Sequence, residues 1–259
     1  MADTVLIGGG VGPMAGVVLH RKVIENTATN GTDQDHLEVM HLSRSPIIAD
    51  RTEFLSGEPV ADPVEGMLRV FRMAEAALRT EERRAVAGVP CNTFHAASLF
   101  SRFRAALEKE GMSIRVLHML AETAAFIRAT EPRANRVGVL STTGTRSSGV
   151  YEEIFADYGL EVAHIPLKRQ AELHEAIYHR EWGLKALSVA DERAATRVRE
   201  FASLLVSQGA DAVVLGCTEL PLALAEGRYE GVPVVDPMTA LARALVREAA
   251  PEKLIAAGQ

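Results

Sequence analysis

Short apolar segments alternate with longer segments of helical periodicity along most of the chain. The apolar segments are bounded by glycine, proline or polar residues, as buried strands of parallel sheets are. Between them, apolar residues recur every three or four positions, which predicts helices. Strands that alternate with helices are typical of α/β proteins. The pattern predicts eight strands: Thr4 to Ile7, Leu37 to Leu42, Ala85 to Val89, Ile114 to Leu117, Val137 to Leu140, Leu160 to Ile165, Ala212 to Leu215 and Val232 to Val235.

Two of the predicted helices have a marked amphipathic pattern. In Pro63 to Thr80 and in Glu192 to Gln208, the apolar side chains fall on one stripe. Such a stripe packs against a sheet or another helix. We therefore interpret both stripes as core surfaces and not as cofactor-binding segments.

A weak internal repeat divides the chain. In the first half, a strand enters a glycine-rich turn and a later strand ends at Cys91; in the second half, a similar turn after Leu140 is followed by a strand that ends at Cys217. We predict two similar α/β domains that face each other across an active-site cleft, each a parallel sheet flanked by helices. The first comprises residues 1–112 and 236–259, with its last helix (Thr239 to Ala249) returning to it, and the second comprises residues 113–235.

Composition narrows the function classes. The chain has 259 residues, 47% of them hydrophobic, and a formal net charge of −6, so no basic surface predicts nucleic acid or an anionic membrane as a partner. No apolar run approaches the roughly 18 residues that span a bilayer, and the first residues do not resemble a signal peptide. We expect a cytoplasmic protein whose two cysteines stay reduced.

The two cysteines lie in matching contexts. Each follows a predicted strand and precedes a predicted helix, and open α/β sheets bind ligands at that edge. A helix N-terminus there favours a thiolate and binds carboxylates. A single cysteine at this place is more often a small buried apolar residue, but two in the same context favour a functional pair. Residues able to hydrogen-bond an anion follow both: Asn92 and Thr93 after Cys91, and Thr218 after Cys217.

These motifs resemble the aspartate/glutamate racemases. The matching segments are Gly9-Gly10-Val11-Gly12-Pro13, Asp50-Arg51-Thr52, Pro90-Cys91-Asn92-Thr93-Phe94-His95 and Gly216-Cys217-Thr218-Glu219-Leu220-Pro221-Leu222. The resemblance covers nearly the whole chain and is greatest to aspartate racemases, because the glutamate racemases of cell-wall synthesis usually carry histidine where Glu219 stands. Phe94 and Gly16 depart from the common alanine and threonine, which concerns the shape of the pocket.

The resemblance implies a racemase without pyridoxal phosphate or another cofactor, and no histidines, cysteines and carboxylates stand at a spacing that predicts a metal site. One thiolate would remove the α-proton of an acidic amino acid, while the other thiol would protonate the opposite face. Without an electron sink, the carbanion must be stabilised electrostatically. We expect backbone N–H groups of the glycine turn around Gly12, together with Asn92, Thr93 and Thr218, to bind the α-carboxylate.

Further roles follow from the resemblance. Arg51 would hold the distal carboxylate of the substrate through two parallel hydrogen bonds. Lys168 is a second candidate for that carboxylate, and Thr142 for the α-carboxylate or amine.

Two further residues keep two interpretations each. His95 either tunes Cys91 or packs in the helix. Glu219 either orients Cys217 or the substrate amine, or it complements a helix dipole. The family also implies a homodimer.

Three other functions stay open. Gly10 to Ala15 formally fits the phosphate loop of a nucleotide-binding dehydrogenase, but Pro13 removes a backbone donor, and Asp33 and Asp35 precede the second strand instead of ending it. A non-enzymatic two-lobed binding protein would have the same fold but needs no paired thiols. An isomerase or decarboxylase of other small acids within the same superfamily would keep the fold and the site.

Overall fold

The computed structural model describes residues 3–186 and 189–256. Within these residues the strands are β1 (Thr4–Gly9), β2 (Val39–Ser43), β3 (Ala85–Gly88), β4 (Ile114–Val116), β5 (Arg136–Ser141), β6 (Glu161–Ala163), β7 (Ala212–Gly216), β8 (Gly227–Tyr229) and β9 (Val232–Val235). The α-helices are α1 (Pro13–Glu25), α2 (Arg51–Leu55), α3 (Pro63–Thr80), α4 (Ala97–Lys109), α5 (Met119–Thr130), α6 (Thr143–Ser147), α7 (Val150–Ala156), α8 (Gln170–Tyr178), α9 (Glu192–Ser207) and α10 (Pro237–Ala249).

The chain divides into two compact units. The first comprises Met1–Met119 and Met238–Gln259, and the second comprises Leu120–Pro237. The sequence placed the first boundary at residue 112, before β4. In the structure, β4 pairs in parallel with β3, so this strand belongs to the sheet of the first unit and the boundary lies beyond it.

The first unit is built on a four-stranded parallel sheet in the order β2-β1-β3-β4. Helices cover both faces. A Cβ placed on Gly8 would lie 2.7 Å from the Phe71 ring of α3, and one on Gly88 would lie 3.0 Å from Leu241 of α10. Gly88 pairs with Ile7, so both residues face the same side of the sheet, and Gly8, the next residue after Ile7, faces the other side. Helices α3 and α10 therefore lie on opposite faces. The last helix therefore packs on the sheet of the first unit.

The second unit repeats this strand order. Its sheet has the order β6-β5-β7-β9-β8, in which the first four strands are parallel and β8 is antiparallel to β9. These parallel sheets flanked by helices confirm the predicted fold class. The sequence did not predict β8, whose three residues Gly-Arg-Tyr have no apolar alternation. It also gave β6 six residues instead of three.

Local sequence accounts for the amphipathic helices. Asp62 accepts a hydrogen bond from the backbone N–H of Val64 and begins α3, with Pro63 at the first helical position, and Asp191 caps α9 through Arg193 N. The apolar stripe of α3 packs into the core of the first unit and that of α9 into the core of the second. Among residues 3–186 and 189–256, none of the helices combines the length and hydropathy that crossing a bilayer requires.

Phe94 is part of the first core. Its side chain is fully buried, and its ring packs edge-on against that of Phe103, with the centroids 5.3 Å apart. Phe103 makes the same kind of contact with Phe71 at 4.8 Å. The departure from alanine at position 94 is therefore explained by core packing.

Candidate functional site

The carboxyl ends of β1 and β3 form the candidate edge of the first unit. From β1 the chain crosses to β2 on one side, and from β2 it returns to β3 on the other, so the order reverses between β1 and β3. Open α/β sheets bind ligands at such a reversal. The glycine turn follows β1 and Cys91 follows β3, so the predicted Gly12 and Cys91 lie at this edge.

The glycine turn depends on the absence of side chains. Gly10 has φ +96° and Gly12 has φ +123°, values that other residues rarely adopt. A Cβ on Gly10 would lie 2.7 Å from the backbone nitrogen of Arg44. Gly12 directly precedes α1, so the turn leads to the helix N-terminus, where backbone N–H groups favour anions.

Gly16, in the first turns of α1, faces His41 of β2. A Cβ there would lie 2.3 Å from Nε2 of the imidazole. The imidazole occupies the space that a threonine side chain would need, which explains the departure from the family pattern at this position. Burial lowers the pKa of His41, and the nearby His20 lowers it further.

Arg51 connects α2 to the glycine turn. The side chain is buried, and its two terminal nitrogens donate to backbone carbonyls, at 3.0 Å to Val11 O and 3.1 Å to Ala49 O. Asp50 caps α2 by accepting from Thr52 N and Glu53 N. The guanidinium is thus held beside the turn that contains Gly12, and its predicted contact with a distal carboxylate stays a proposal.

The Cys91 loop is compact and nearly closed to solvent. Cys91, Asn92 and Thr93 are all buried. Cys91 N donates to Val89 O at 2.9 Å, and Cys91 O accepts from Phe94 N at 3.2 Å. A short 3-10 helix, Thr93–His95, follows, and α4 begins only at Ala97. The predicted helix after Cys91 is therefore present, but a 3-10 turn separates it from the thiol.

His95 supports the backbone that carries Cys91. Its Nε2 lies 3.1 Å from Val89 O, to which it donates, and its ring packs against Phe100 and His118 at 4.7 Å. Burial, together with His118, lowers the pKa of His95 well below its ordinary value, and burial lowers that of His118 to about 4. These contacts favour the packing role over the tuning of Cys91.

The buried imidazole of His95 and the partly buried imidazole of His118 predict a loss of stability in acid. The unfolded chain binds protons on histidine near a pKa of about 6.5, whereas the folded chain excludes them, so stability present above that pH is lost as the pH falls. We expect about 1 to 2 kcal/mol for each imidazole between pH 6.5 and 5. Urea unfolding at pH 7 and 5 measures this loss. His118→Leu should show a smaller loss, and an equal loss in parent and variant would contradict the prediction.

The second unit has an equivalent edge at the carboxyl ends of β5, β7 and β9. Thr142, after β5, is buried, and its hydroxyl accepts from Thr145 N at 3.3 Å, so it caps α6. Lys168 follows β6 in the short 3-10 helix Leu167–Arg169, where it is exposed. Thr142 is therefore held in place by a helix cap, whereas Lys168 stands on an exposed turn.

Cys217 lies within a network around Glu219. One carboxylate oxygen of Glu219 accepts from the Cys217 thiol at 2.9 Å and from the Thr218 hydroxyl at 3.1 Å, and the other lies 3.2 Å from Lys185 Nζ. Burial, and then the charge of Glu219, raises the pKa of Cys217 well above that of an ordinary thiol. Burial also opposes ionisation of Glu219, but Lys185 and the two hydrogen bonds outweigh it, so the pKa of Glu219 is lowered.

This environment corrects the expectation for Cys217. The sequence predicted a helix after Cys217 whose dipole would favour the thiolate. The structure has only a 3-10 turn there, Leu220–Leu222, and a carboxylate next to the sulfur. The carboxylate favours the neutral thiol, and the expected helix dipole that would favour the thiolate is missing.

Sequence reasoning missed three polar residues around Cys217. Lys185 comes from an irregular segment that carries no periodic signal. Asp236 is buried directly after β9, and Tyr151 of α7 is fully buried. Burial raises the pKa of Tyr151 well above its ordinary value, and the charges of Cys217 and Asp236 raise it further. Asp236 follows a correctly predicted strand end, which was the one available signal.

Metal ligands are not grouped in the described part of the chain. Among residues 3–186 and 189–256, histidine, cysteine, aspartate and glutamate side chains form no set of three or more that could hold a metal ion. The site is therefore described by its thiols, hydroxyls and charged side chains.

Comparison with known proteins identifies the family. The family described as Asp/Glu/Hydantoin racemase matches residues 9–245, which include every candidate site residue. The chain belongs to this family. Its members share the two-domain α/β fold seen here, and membership in the family supports an amino-acid racemase activity.

Individual relatives agree with this assignment. A glutamate racemase from Pseudomonas paraeruginosa is 30% identical over 215 residues, which are 82% of this chain and 74% of the relative. The solved structure of Picrophilus torridus aspartate racemase is 27% identical, with a TM-score of 0.77 over 98% of this chain and 96% of the other. An aspartate racemase homologue from Pyrococcus horikoshii OT3 shares the fold at 22% identity, with a TM-score of 0.69 over 96% of this chain and 100% of the other.

Proposed function

We propose that this family member racemises aspartate without pyridoxal phosphate, using Cys91 and Cys217 as the two proton-transfer groups. The observation that carries the proposal is the repeated placement of the cysteines. Each follows the third strand of the same parallel strand order, at the edge where that order reverses. The similarity to an aspartate racemase over 98% of the chain supports aspartate as the substrate.

The reaction needs one base and one acid. In one direction, the Cys91 thiolate takes the α-proton and the Cys217 thiol gives its proton to the opposite face of the carbanion. The enantiomer leaves, with Cys91 protonated and Cys217 ionised. The reverse reaction exchanges the roles. General acid–base groups of this kind each contribute roughly 10²- to 10⁴-fold to a rate.

Stabilisation of the carbanion falls to the groups that bind its carboxylate. Asn92 and Thr93 adjoin one cysteine and Thr218 adjoins the other, so each can donate to an oxygen that gains enolate character. The N-terminus of α1 after Gly12 supplies a favourable field for the same anion. We assign the distal carboxylate to Arg51, with Lys168 as the second candidate, and the α-carboxylate or amine also to Thr142.

Glutamate is the second candidate substrate. The 30% identical relative is a glutamate racemase, and the two amino acids differ by one methylene group. Family membership favours either racemase over a nucleotide-binding dehydrogenase or a non-enzymatic binding protein. An isomerase or decarboxylase of other small acids remains an outcome of the test below, and the homodimer and the cytoplasmic location stay predictions.

Proton exchange in deuterium oxide tests the proposed function. The protein is incubated separately with L-aspartate and L-glutamate, and the loss of the α-proton signal is followed by NMR together with chiral chromatography. We expect deuterium in both aspartate enantiomers, at a rate at least tenfold above that for glutamate. Faster exchange of glutamate would reverse the substrate assignment, and exchange of neither would contradict the racemase.

A further inference from the structure

Lys185 is placed beside the Cys217 network by a tight reversal of the chain after α8. Leu184 N and Lys185 N donate back to Ala176 O and Ile177 O of that helix. The reversal requires Gly183, since a Cβ there would lie 2.4 Å from the backbone nitrogen of His179. The position of Lys185 is thus built into the fold of the second unit.

The ammonium group of Lys185 contacts two side chains, those of Glu219 and Tyr178. Its Nζ lies 3.2 Å from Glu219 Oε1 and 5.0 Å from the centroid of the Tyr178 ring, within the range of a cation–π contact. The side chains of both Lys185 and Glu219 are largely removed from solvent, at 24% and 13% exposure. An ion pair with this burial is screened less than one at the surface.

The two carboxylate oxygens of Glu219 have different hydrogen-bond partners. Oε1 faces Lys185, while Oε2 accepts from both the Cys217 thiol and the Thr218 hydroxyl. Lys185 favours the ionised carboxylate, and its charge offsets part of the effect that the carboxylate has on the neighbouring thiol. We propose that Lys185 is a positioning residue that compensates the charge of Glu219, so that Glu219 holds Cys217 as the thiol without preventing that thiol from giving its proton to the carbanion.

This inference deepens the proposed racemase function and rests on it. The resting enzyme would start with Cys91 as base and Cys217 as acid. After one turnover in that direction, Cys91 loses one proton to solvent and Cys217 regains one, so protons balance. Glu219 and Lys185 are the charged groups that act on Cys217, and Tyr151 lies within electrostatic reach of both Cys217 and Asp236. Of these, Lys185 is the cation.

The test follows the ionisation of Cys217 alone. In a Cys91→Ser background, thiolate absorbance at 240 nm is recorded against pH, with Cys91→Ser/Cys217→Ser subtracted to remove tyrosine. Adding Glu219→Gln removes the negative charge, so Cys217 should ionise at lower pH and react with iodoacetamide roughly tenfold faster at pH 8. Adding Lys185→Met leaves Glu219 ionised but uncompensated at that pH, so the reaction should be roughly tenfold slower.

Opposite shifts are the decisive result. Lys185→Arg should match the background, because it keeps the charge. If Lys185 only stabilises the fold, Glu219→Gln and Lys185→Met would both loosen the site and would shift the ionisation of Cys217 in the same direction. That result would overturn the proposal. So would a Lys185→Met variant in which the ionisation of Cys217 is unchanged. With both cysteines intact, the loss of kcat/KM at high pH should move down in Glu219→Gln and up in Lys185→Met. Opposite thiol shifts in a protein that exchanges no amino-acid proton would overturn the racemase and leave the charge coupling standing.

Discussion

Replacing Cys91 with alanine is expected to lower kcat for racemisation by about 10³-fold or more in both directions. The variant keeps Cys217 but has no group to serve the other face of the substrate. Cys91 lies among apolar side chains of the first unit, but alanine lacks only its sulfur atom, so little packing is lost. Chiral chromatography measures racemisation, and circular dichroism shows whether the fold is kept.

Proton exchange separates this loss from a general loss of activity. Cys217→Ala should also abolish racemisation, yet it keeps Cys91 and should still exchange the α-proton of one enantiomer. Cys91→Ala should exchange less at neutral pH, because the neighbouring carboxylate holds Cys217 as the thiol. Racemisation at the parent rate in either single variant, or in the double variant, would contradict the two-thiol mechanism.

Gly10→Ala is expected to cost about 3 kcal/mol of unfolding free energy and to abolish activity. Two causes add. The residue has φ +96°, which strains any side chain, and the new Cβ would meet three backbone atoms of Arg44 and Ser45 between 2.7 and 2.8 Å. Backbone atoms cannot rotate away as a flexible side chain does, so the turn that contains Gly12 must move.

Gly31→Ala is the matched control for this prediction. Gly31 has φ +90°, but nothing lies within 4 Å of its hypothetical Cβ. It carries the conformational strain without the clash and should cost about 1 kcal/mol. Urea unfolding compares the two variants. Equal losses of unfolding free energy in the two variants would mean that the close backbone contacts around Gly10 add nothing to the cost, which would contradict the prediction.

Local patterns account for the parts of the molecule that the sequence predicted correctly. In the stripes of α3 and α9 and in the apolar run of β7, the apolar residues are the ones that become buried. These elements can therefore be predicted without knowledge of the fold. The presence of two similar α/β halves was accessible because turns and cysteines recur at similar places in both, whereas the order of the strands in each sheet was not predicted. Cys91 and Cys217 were selected as candidates for the same reason, and their catalytic roles stay predictions.

The environment of Cys217 was not accessible in this way. The sequence contains Glu219 two residues from the thiol, but not the fact that Lys185 reaches the same carboxylate from 34 residues away. That contact depends on the reversal at Gly183. Likewise, Gly16 could be recorded as a departure, but its cause is the imidazole of His41 on another element. Long-range placement of this kind decides the electrostatics of a site, and a linear pattern does not record it.

The antiparallel β8 has a consequence for self-association. Without it, β9 would present four residues of unpaired backbone as an open template for strands of other chains. β8 covers that edge with three residues of its own, among them Arg228, which pairs with Pro233 and lies 3.7 Å from Glu131 after α5. At the opposite edge, β6 is equally short. Both borders of this sheet are thus short strands that carry a charged residue, and these two features oppose edge-to-edge aggregation.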